Sequence, residues 1–140
     1  MSSPTKLPAG VILLPPGAGR FYACGPMQSL FLADGKETGD RYAVSIWWVD
    51  PGKAGPGAHS HEANEELFYV IEGTMTFLVG TEHVNATVGT FLRIPAGVTH
   101  DFENRTVDRA GALNVFSPGG FEENMPAIVE WFRAQDGKSP

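Results

Sequence analysis

The pattern of apolar and polar residues predicts a series of short β-strands along most of the chain. The apolar runs end at residues that favour turns, such as Asp50-Pro51-Gly52 and Glu72-Gly73. Strands are predicted on this basis at 42–49, 67–71, 74–79, 87–88, 90–94 and 112–116. Because no helical periodicity separates these runs, the chain is predicted to be all-β, folded as a sandwich or a barrel.

The strand at 42–49 differs from the others because it is apolar on both faces. One face carries Val44, Ile46 and Trp48, and the other carries Ala43, Ser45, Trp47 and Val49. A strand of this kind is expected to lie between two layers of structure or at an interface between subunits.

The two ends of the chain differ from the strand-rich middle. Residues 1–20, rich at their start in Pro, Ser and Gly, are predicted to form an N-terminal arm, residues 21–120 a β-barrel, and residues 121–140 a short helix and tail. Pro126 suits the first turn of this helix. Large apolar residues recur at helical spacing at Ile128, Trp131 and Phe132. Two roles are open to this amphipathic helix, a lid over the barrel mouth and a packing element between subunits.

Composition describes one ordinary globular domain. The chain has 140 residues, of which 42% are hydrophobic and 19% are charged, so it has room for a single core. Ten Lys and Arg residues against sixteen Asp and Glu residues give a formal charge of −6, and the basic residues are scattered along the sequence. Binding to nucleic acid is therefore not expected.

The cysteine content and the hydropathy of the sequence give an expectation for the cellular compartment of the protein. The single cysteine, Cys24, cannot form an intrachain disulfide, and a free thiol fits a reducing compartment. The apolar run at 11–14 is shorter than a signal-peptide core or a membrane span. The protein is predicted to be cytoplasmic, with no membrane partner.

Three of the four histidines and one glutamate form a candidate metal-binding set. His59 and His61 lie two residues apart, so in an extended chain they offer two imidazoles to one point, and Glu66 and His100 complete the set. Imidazole and carboxylate groups are suitable ligands for divalent first-row metals. The sequence therefore predicts a metal centre inside a small β domain.

The strand phase predicts which side chains surround this set. Phe68 shares the phase of Glu66, and Phe102 shares the phase of His100, so both aromatic rings are predicted to point inward beside the metal. An apolar, aromatic cavity of this kind is typical of a small-molecule site. Arg93 is a further candidate for the substrate pocket, where it would meet an anionic group, and the alternative is an outward-facing arginine.

The motifs resemble those of single-domain cupins. Gly89, Pro95, Gly97, His100 and Asn104 match every position of the second cupin motif. His59, His61, Glu66 and Gly73 match the first motif with a four-residue gap before the glutamate. The glycine that usually stands six positions before the first histidine is replaced by Lys53, with Gly52 one residue further back. The resemblance implies a jelly-roll barrel with a short C-terminal helix.

Residue by residue, the resemblance implies that His59, His61, Glu66 and His100 bind one divalent transition metal. Glu65 is the competing carboxylate, because a three-residue gap is also allowed in the motif. Glu66 is preferred because it keeps the six-residue interval to Gly73. A mixed set of nitrogen and oxygen ligands does not select strictly among Fe, Mn, Ni, Co, Cu and Zn.

Within this family the chain is most similar to the small quercetin-dioxygenase-like cupins. The similarity depends on Phe68 and Phe102, the gap before Glu66, and the segment 116–122. It implies a metal-dependent dioxygenase with an aromatic or enolisable small-molecule substrate and dioxygen as its partners. In this mechanism Glu66 is also the general base that takes the proton of a substrate hydroxyl.

Two other functional classes remain open. The same ligands suit a non-redox lyase or isomerase, in which a metal polarises a carbonyl oxygen, or a cupin that binds a small molecule without catalysis. A homodimer is also expected, because many cupins pair their outer sheets and the strand at 42–49 is apolar on both faces.

Overall fold

The computed structural model describes residues 6–136, and this part of the chain forms nine β-strands and one α-helix. The strands are β1 (Arg20–Cys24), β2 (Met27–Ala33), β3 (Ala43–Val49), β4 (Glu65–Glu72), β5 (Thr74–Val79), β6 (Glu82–Thr87), β7 (Phe91–Ile94), β8 (His100–Glu103) and β9 (Ala110–Ser117). The helix α1 (Met125–Asp136) follows β9 after a 3₁₀ turn at Glu122–Asn124. Another 3₁₀ turn, Gly35–Glu37, lies between β2 and β3.

The strands form two antiparallel sheets that enclose one core. The larger sheet has the order β1-β2-β3-β9-β4-β7, and the smaller has the order β6-β5-β8. Aromatic rings from both sheets meet between them, because Phe68 of β4, Phe77 of β5 and Phe102 of β8 pack with ring centroids 5.1 to 6.4 Å apart. This architecture confirms the prediction of an all-β fold with a short C-terminal helix.

The two faces of β3 are distinct although both are largely apolar. Its inward residues, Ala43, Ser45, Trp47 and Val49, are buried, whereas Val44, Ile46 and Trp48 point outward and are half-buried. The strand lies in the middle of the larger sheet between β2 and β9. Its outer face is thus partly open to solvent in the single chain.

The sequence pattern missed several strands. β1 and β2 were not predicted, although the two form a hairpin closed at Cys24 and Met27. The prediction at 87–88 lies at the end of β6, most of which is polar and exposed. An edge strand of this composition has no apolar run, and its only buried residue is Ala86. The predicted runs at 67–71 and 112–116 lie inside the longer strands β4 and β9.

The segment before β1 contains no strand within the described residues. Residues 6–17 are exposed, including the large apolar side chains Leu7, Val11, Ile12, Leu13 and Leu14. The predicted arm (1–20) and tail (121–140) extend on either side beyond the described residues, and the predicted domain boundaries stay predictions.

The helix α1 packs against β1 and the turn that follows it. The ring of Phe132 lies so close to Gly25 that a Cβ atom there would be 2.5 Å from a ring carbon. The helix is thereby held against the β1–β2 hairpin, and its role as a lid or as a packing element between subunits stays a prediction. Within the described residues, no helix is long and apolar enough to cross a membrane.

The chain leading into the helix is held by three side chains. The buried carboxylate of Asp34 accepts hydrogen bonds from the backbone N–H groups of Gly120 and Glu122, at 2.6 and 2.7 Å. The Glu122 carboxylate in turn accepts hydrogen bonds from Arg20 and from the Tyr22 hydroxyl, both at 2.7 Å. Phe121 is therefore fixed between two anchored residues.

Candidate metal centre

Four predicted ligands converge on one point inside the barrel. One ligand atom from each of His59, His61, Glu66 and His100 lies within 4.8 Å of all the others. Glu66 and His100 are buried, at 7% and 3% exposure, and the other two histidines are half-buried. The cluster could hold a metal ion with three imidazole nitrogens and a carboxylate oxygen.

The cluster is assembled from the loop after β3 and from two strands. Glu66 is the second residue of β4 and His100 is the first of β8, so the cluster spans both sheets. The loop carrying His59 is fastened to β8, because His59 and His100 exchange backbone N–H···O=C hydrogen bonds of 3.0 and 2.8 Å. The carbonyl of His61 also accepts a 2.8 Å hydrogen bond from the N–H of Gly97.

Hydrogen bonds to the backbone orient two of the imidazoles. Nδ1 of His59 donates to the Gly57 carbonyl at 2.7 Å, and Nδ1 of His100 donates to the Val98 carbonyl at 2.9 Å. Each bond directs Nε2 of its ring toward the cluster, as in the outer shell of protein metal sites. Nε2 of His61 is buried and has no hydrogen-bond partner. An unpartnered buried nitrogen next to a carboxylate is the donor that a metal would engage.

The charges of the cluster are set by burial and by the Glu66–His100 contact. Burial is the largest single influence and disfavours the charged form of Glu66, but the hydrogen bonds from His100 and Asn114 and the charges of the nearby histidines together lower the pKa of Glu66. Burial is also the largest single influence on His100 and opposes its charge, yet the hydrogen bonds to Glu66 and the Val98 carbonyl and the nearby carboxylates together raise the pKa of His100. For His61, burial dominates over the nearby carboxylate and lowers the pKa. The cluster therefore offers an ionised carboxylate and at least one neutral imidazole near neutral pH.

Asn114 supports Glu66 and was not found from the sequence. Its side-chain nitrogen donates to Oε1 of Glu66 at 3.1 Å and to the Leu67 carbonyl at 3.4 Å. It lies on β9 directly opposite Phe68 and is buried. The sequence did contain a signal for Asn114, because it is the one amide within the apolar run 112–116. A buried amide needs a hydrogen-bond partner, so its position in a buried strand predicts a polar neighbour.

The neighbouring carboxylate, Glu65, lies on the opposite face of β4. Its side chain is 41% exposed and pairs with Arg93 at 2.9 Å. The prediction that Arg93 points into the substrate pocket is therefore wrong. The strand register gives the reason, because Ile94 lies opposite Glu66 and faces inward, which turns Arg93 outward beside Leu67.

A large cavity lies between the cluster and the C-terminal helix. It has a volume of about 350 Å³, and His59 and His61 form part of its wall. The rest of the wall is apolar, formed by Met27, Trp47, Pro56, Phe121, Ile128, Trp131 and Phe132. We call this space the outer cavity. Its size and lining are typical of a site for a small organic ligand.

A smaller space of about 50 Å³, which we call the inner chamber, lies on the barrel side of the cluster. The predicted pocket residues Phe68 and Phe102 line it together with Glu66 and Asn114. Both rings are thus adjacent to the cluster, as their strand phase predicted, although neither lines the outer cavity.

Other residues of the two motifs hold the loops that carry the ligands. The side chain of Asn104 is buried and donates to the carbonyls of Val49 and Asp108, at 3.0 and 2.7 Å. Gly73 has a φ of 62°, and a Cβ there would lie 2.3 Å from the Arg109 carbonyl oxygen. These residues stabilise the conformation of the loops and are not members of the cluster.

The fold, the cluster and the family comparison agree. A family model described as a cupin domain matches residues 45–116, slightly more than half of the chain. The chain therefore belongs to the cupin family, and its two sheets form the jelly-roll barrel of that family. The matched segment includes all four residues of the cluster.

Two of the proteins similar to this chain are named for different activities. The chain is 29% identical over 90 residues to the quercetin 2,3-dioxygenase of Bacillus subtilis, a match that covers 64% of this chain and 26% of that protein. A cupin-superfamily sugar phosphate isomerase from Silicibacter pomeroyi is 27% identical, with a TM-score of 0.59 over 81% of this chain and 75% of that one. An RmlC-like cupin from Shewanella frigidimarina, 20% identical, has a TM-score of 0.66 over 79% and 94% of the two chains.

Proposed function

We propose that the chain is a metal-dependent enzyme in which His59, His61, Glu66 and His100 hold one divalent transition metal. The observation that carries the proposal is the unpartnered Nε2 of His61, which lies in a cluster of donors at the floor of an aromatic cavity. The donor set suits Fe, Mn, Ni, Co, Cu or Zn. The Nδ1 bonds of His59 and His100 support the assignment because they leave Nε2 directed at the cluster.

The reaction we favour is dioxygenation of an aromatic or enolisable small molecule. A redox-active metal at this position would bind an anionic oxygen of the substrate and promote its reaction with dioxygen. The aromatic rings of Trp47, Phe121 and Trp131 would hold a flat substrate in the outer cavity and exclude water from it. Similarity to the Bacillus subtilis dioxygenase supports this choice.

Glu66 is the proposed general base for the substrate hydroxyl. Its Oε1 is held by Asn114, and its Oε2 is the atom in contact with His100. The lowered pKa keeps the carboxylate ionised near neutral pH, so that it can accept a proton. In this proposal the same side chain binds the metal and moves the proton.

A non-redox isomerase or lyase is the second candidate, favoured by the similarity to the sugar phosphate isomerase. The lining of the two cavities argues against a phosphorylated substrate. Among the described residues, no lysine or arginine lines either the outer cavity or the inner chamber. Phosphate recognition ordinarily uses such cations. A cupin that only binds its ligand would share this site and would differ only in lacking turnover.

Metal content and oxygen consumption test the proposal together. The purified protein is analysed for metals, reconstituted with each candidate ion, and supplied with flavonols, β-diketones and catechols while oxygen uptake is recorded. The proposal predicts one metal per chain and uptake with at least one substrate. A stoichiometric metal without oxygen uptake in any combination would favour the isomerase, lyase or binding class.

We also propose that the protein is a cytoplasmic homodimer that pairs the outer faces of its larger sheets. A continuous row of apolar side chains crosses all six strands of that face. In register order the row is Phe21, Leu30, Ile46, Leu113, Tyr69 and Phe91. Leu30 is already buried in the single chain, whereas Phe21, Tyr69 and Phe91 are 61%, 43% and 62% exposed. Exposed apolar patches are typical of association surfaces.

Size and charge support this surface as a dimer interface. Six strands about 4.8 Å apart and about 23 Å long cover on the order of 600 Å², comparable with the roughly 800 Å² that each partner contributes to a standard interface. Two arginines on this part of the sheet are already paired, Arg93 with Glu65 and Arg109 with Glu72. Burial of the face would therefore leave neither arginine unpaired.

A further inference from the structure

The inner chamber is much smaller than the outer cavity and shares half of its eight lining residues with it. Its volume of about 50 Å³ is far below the roughly 300–1,000 Å³ of pockets for organic ligands. It exceeds the roughly 30 Å³ that one water molecule occupies in the liquid. The chamber is therefore suited to a molecule of a few atoms.

Most of the chamber wall is apolar. The apolar side chains are Trp47, Pro56, Phe68, Phe102 and Phe121. Phe68 and Phe102 come from opposite sheets, and their ring centroids are 5.8 Å apart. Both are almost fully buried, so the chamber ends at the aromatic core of the barrel.

The polar groups of the wall are His59, Glu66 and Asn114, and their hydrogen bonds are largely made within the protein. The two carboxylate oxygens of Glu66 contact Asn114 and His100, and the Asn114 side-chain nitrogen also donates to the Leu67 carbonyl. Nδ1 of His59 is bonded to the Gly57 carbonyl. A buried water is stable only with two to four polar partners. The chamber is thus better suited to an apolar molecule than to water.

The chamber adjoins the outer cavity. Trp47, Pro56, His59 and Phe121 line both spaces, so the two lie side by side next to the cluster. A ligand in the chamber would lie against Glu66 and His59, while a ring in the outer cavity would lie against His59 and His61.

We propose that the inner chamber is a binding site for a small apolar diatomic molecule, which in the reaction proposed above is dioxygen. This assignment rests on the proposed function only for the identity of the gas. The larger substrate and the gas then occupy different spaces on two sides of the same cluster.

Xenon is the probe that tests the site without any reaction. Crystals of the full chain are pressurised with xenon, and the anomalous signal is mapped. A xenon peak between Phe68, Phe102 and Trp47 is expected. A chamber without xenon, or one holding an ordered water bonded to Glu66 and Asn114 that xenon does not displace, would overturn the proposal.

A matched pair of variants connects the chamber to catalysis. Phe102→Trp fills the chamber and should abolish the xenon peak. It should raise the KM for oxygen and leave the KM for the organic substrate unchanged. Phe77→Trp adds the same bulk to the same aromatic cluster, since its ring lies 6.4 Å from that of Phe102, but Phe77 does not line the chamber. The control should retain both the xenon peak and the wild-type KM for oxygen.

The two proposals fail in distinguishable ways. If oxygen is consumed but xenon does not enter the chamber of the wild-type protein, the chamber assignment is wrong and the dioxygenase proposal stands. If xenon binds but turnover of every substrate proceeds without oxygen, the dioxygenase proposal fails and the assignment of the chamber to dioxygen fails with it.

Discussion

On the inner face of the larger sheet, β4 and β9 bury the polar residues Glu66 and Asn114, whereas the outer face of the same sheet exposes Tyr69 and Phe91, at 43% and 62%. Burial of a carboxylate and an amide is costly unless each finds a partner, and here they are partners of each other. Exposure of large aromatic rings is costly unless another surface covers them. The inner face is the basis of the proposed metal site, and the outer face is the basis of the proposed dimer.

Two adjacent carboxylates give the sharpest test of this difference. Glu66→Gln is expected to retain much of the metal and to lower turnover by about 100-fold or more, because the amide cannot accept the substrate proton. Glu65→Gln changes the neighbouring residue on the outer face and should leave turnover unchanged. Metal content and steady-state rates are measured for both variants. Full activity of Glu66→Gln would exclude its role as the base.

A charge placed in the outer apolar row should dissociate the proposed dimer. Tyr69→Lys would bury an unpaired cation, which costs about 3 kcal/mol or more, or at least about 100-fold in the dimer dissociation constant. Val84→Lys is the matched control, because Val84 is 45% exposed but belongs to the smaller sheet. Sedimentation of both variants checks the prediction. A Tyr69→Lys dimer as tight as the wild type would place the interface elsewhere.

Loss of the amide behind Glu66 should have a smaller effect than loss of the carboxylate. Asn114→Leu removes the hydrogen bond to Oε1 of Glu66, and such support is typically worth about 10- to 100-fold in metal affinity. Titration of the metal-free protein with the ion found in the native protein measures this affinity. Asn85→Leu, which removes an amide bonded to Thr76 on the smaller sheet, should leave it unchanged. Equal affinities of the two variants would contradict the supporting role.

The sequence predicted the parts of the site that depend on local spacing. The interval from Glu66 to Gly73 and the phase shared with Phe68 placed the glutamate inward, and the same phase argument placed Phe102 beside His100. These arguments need only the alternation of a strand. The structure brings the four predicted ligands together, and their role as ligands stays a proposal.

The outer cavity could not be predicted because tertiary contacts create it. The helix pattern at Ile128, Trp131 and Phe132 was visible, but its position depends on distant residues such as Gly25, which leaves room for Phe132. Phe121 enters both cavities because Asp34 holds the backbone on either side of it. Neither contact is apparent from the spacing of residues along the chain.

The outward direction of Arg93 could not be predicted from the alternation of residues along its strand. The strand β7 has only four residues, and which of them face inward depends on its register with β4. The guanidinium pairs with Glu65 on the outer face, and both side chains are substantially exposed. An exposed pair of this kind contributes about 0–1 kcal/mol, so Arg93→Ala should change the melting temperature little. It should alter kcat and KM for the organic substrate by less than about twofold, since a factor of two is about 0.4 kcal/mol. A larger rise in KM for an anionic substrate, with the melting temperature unchanged, would return Arg93 to the substrate pocket.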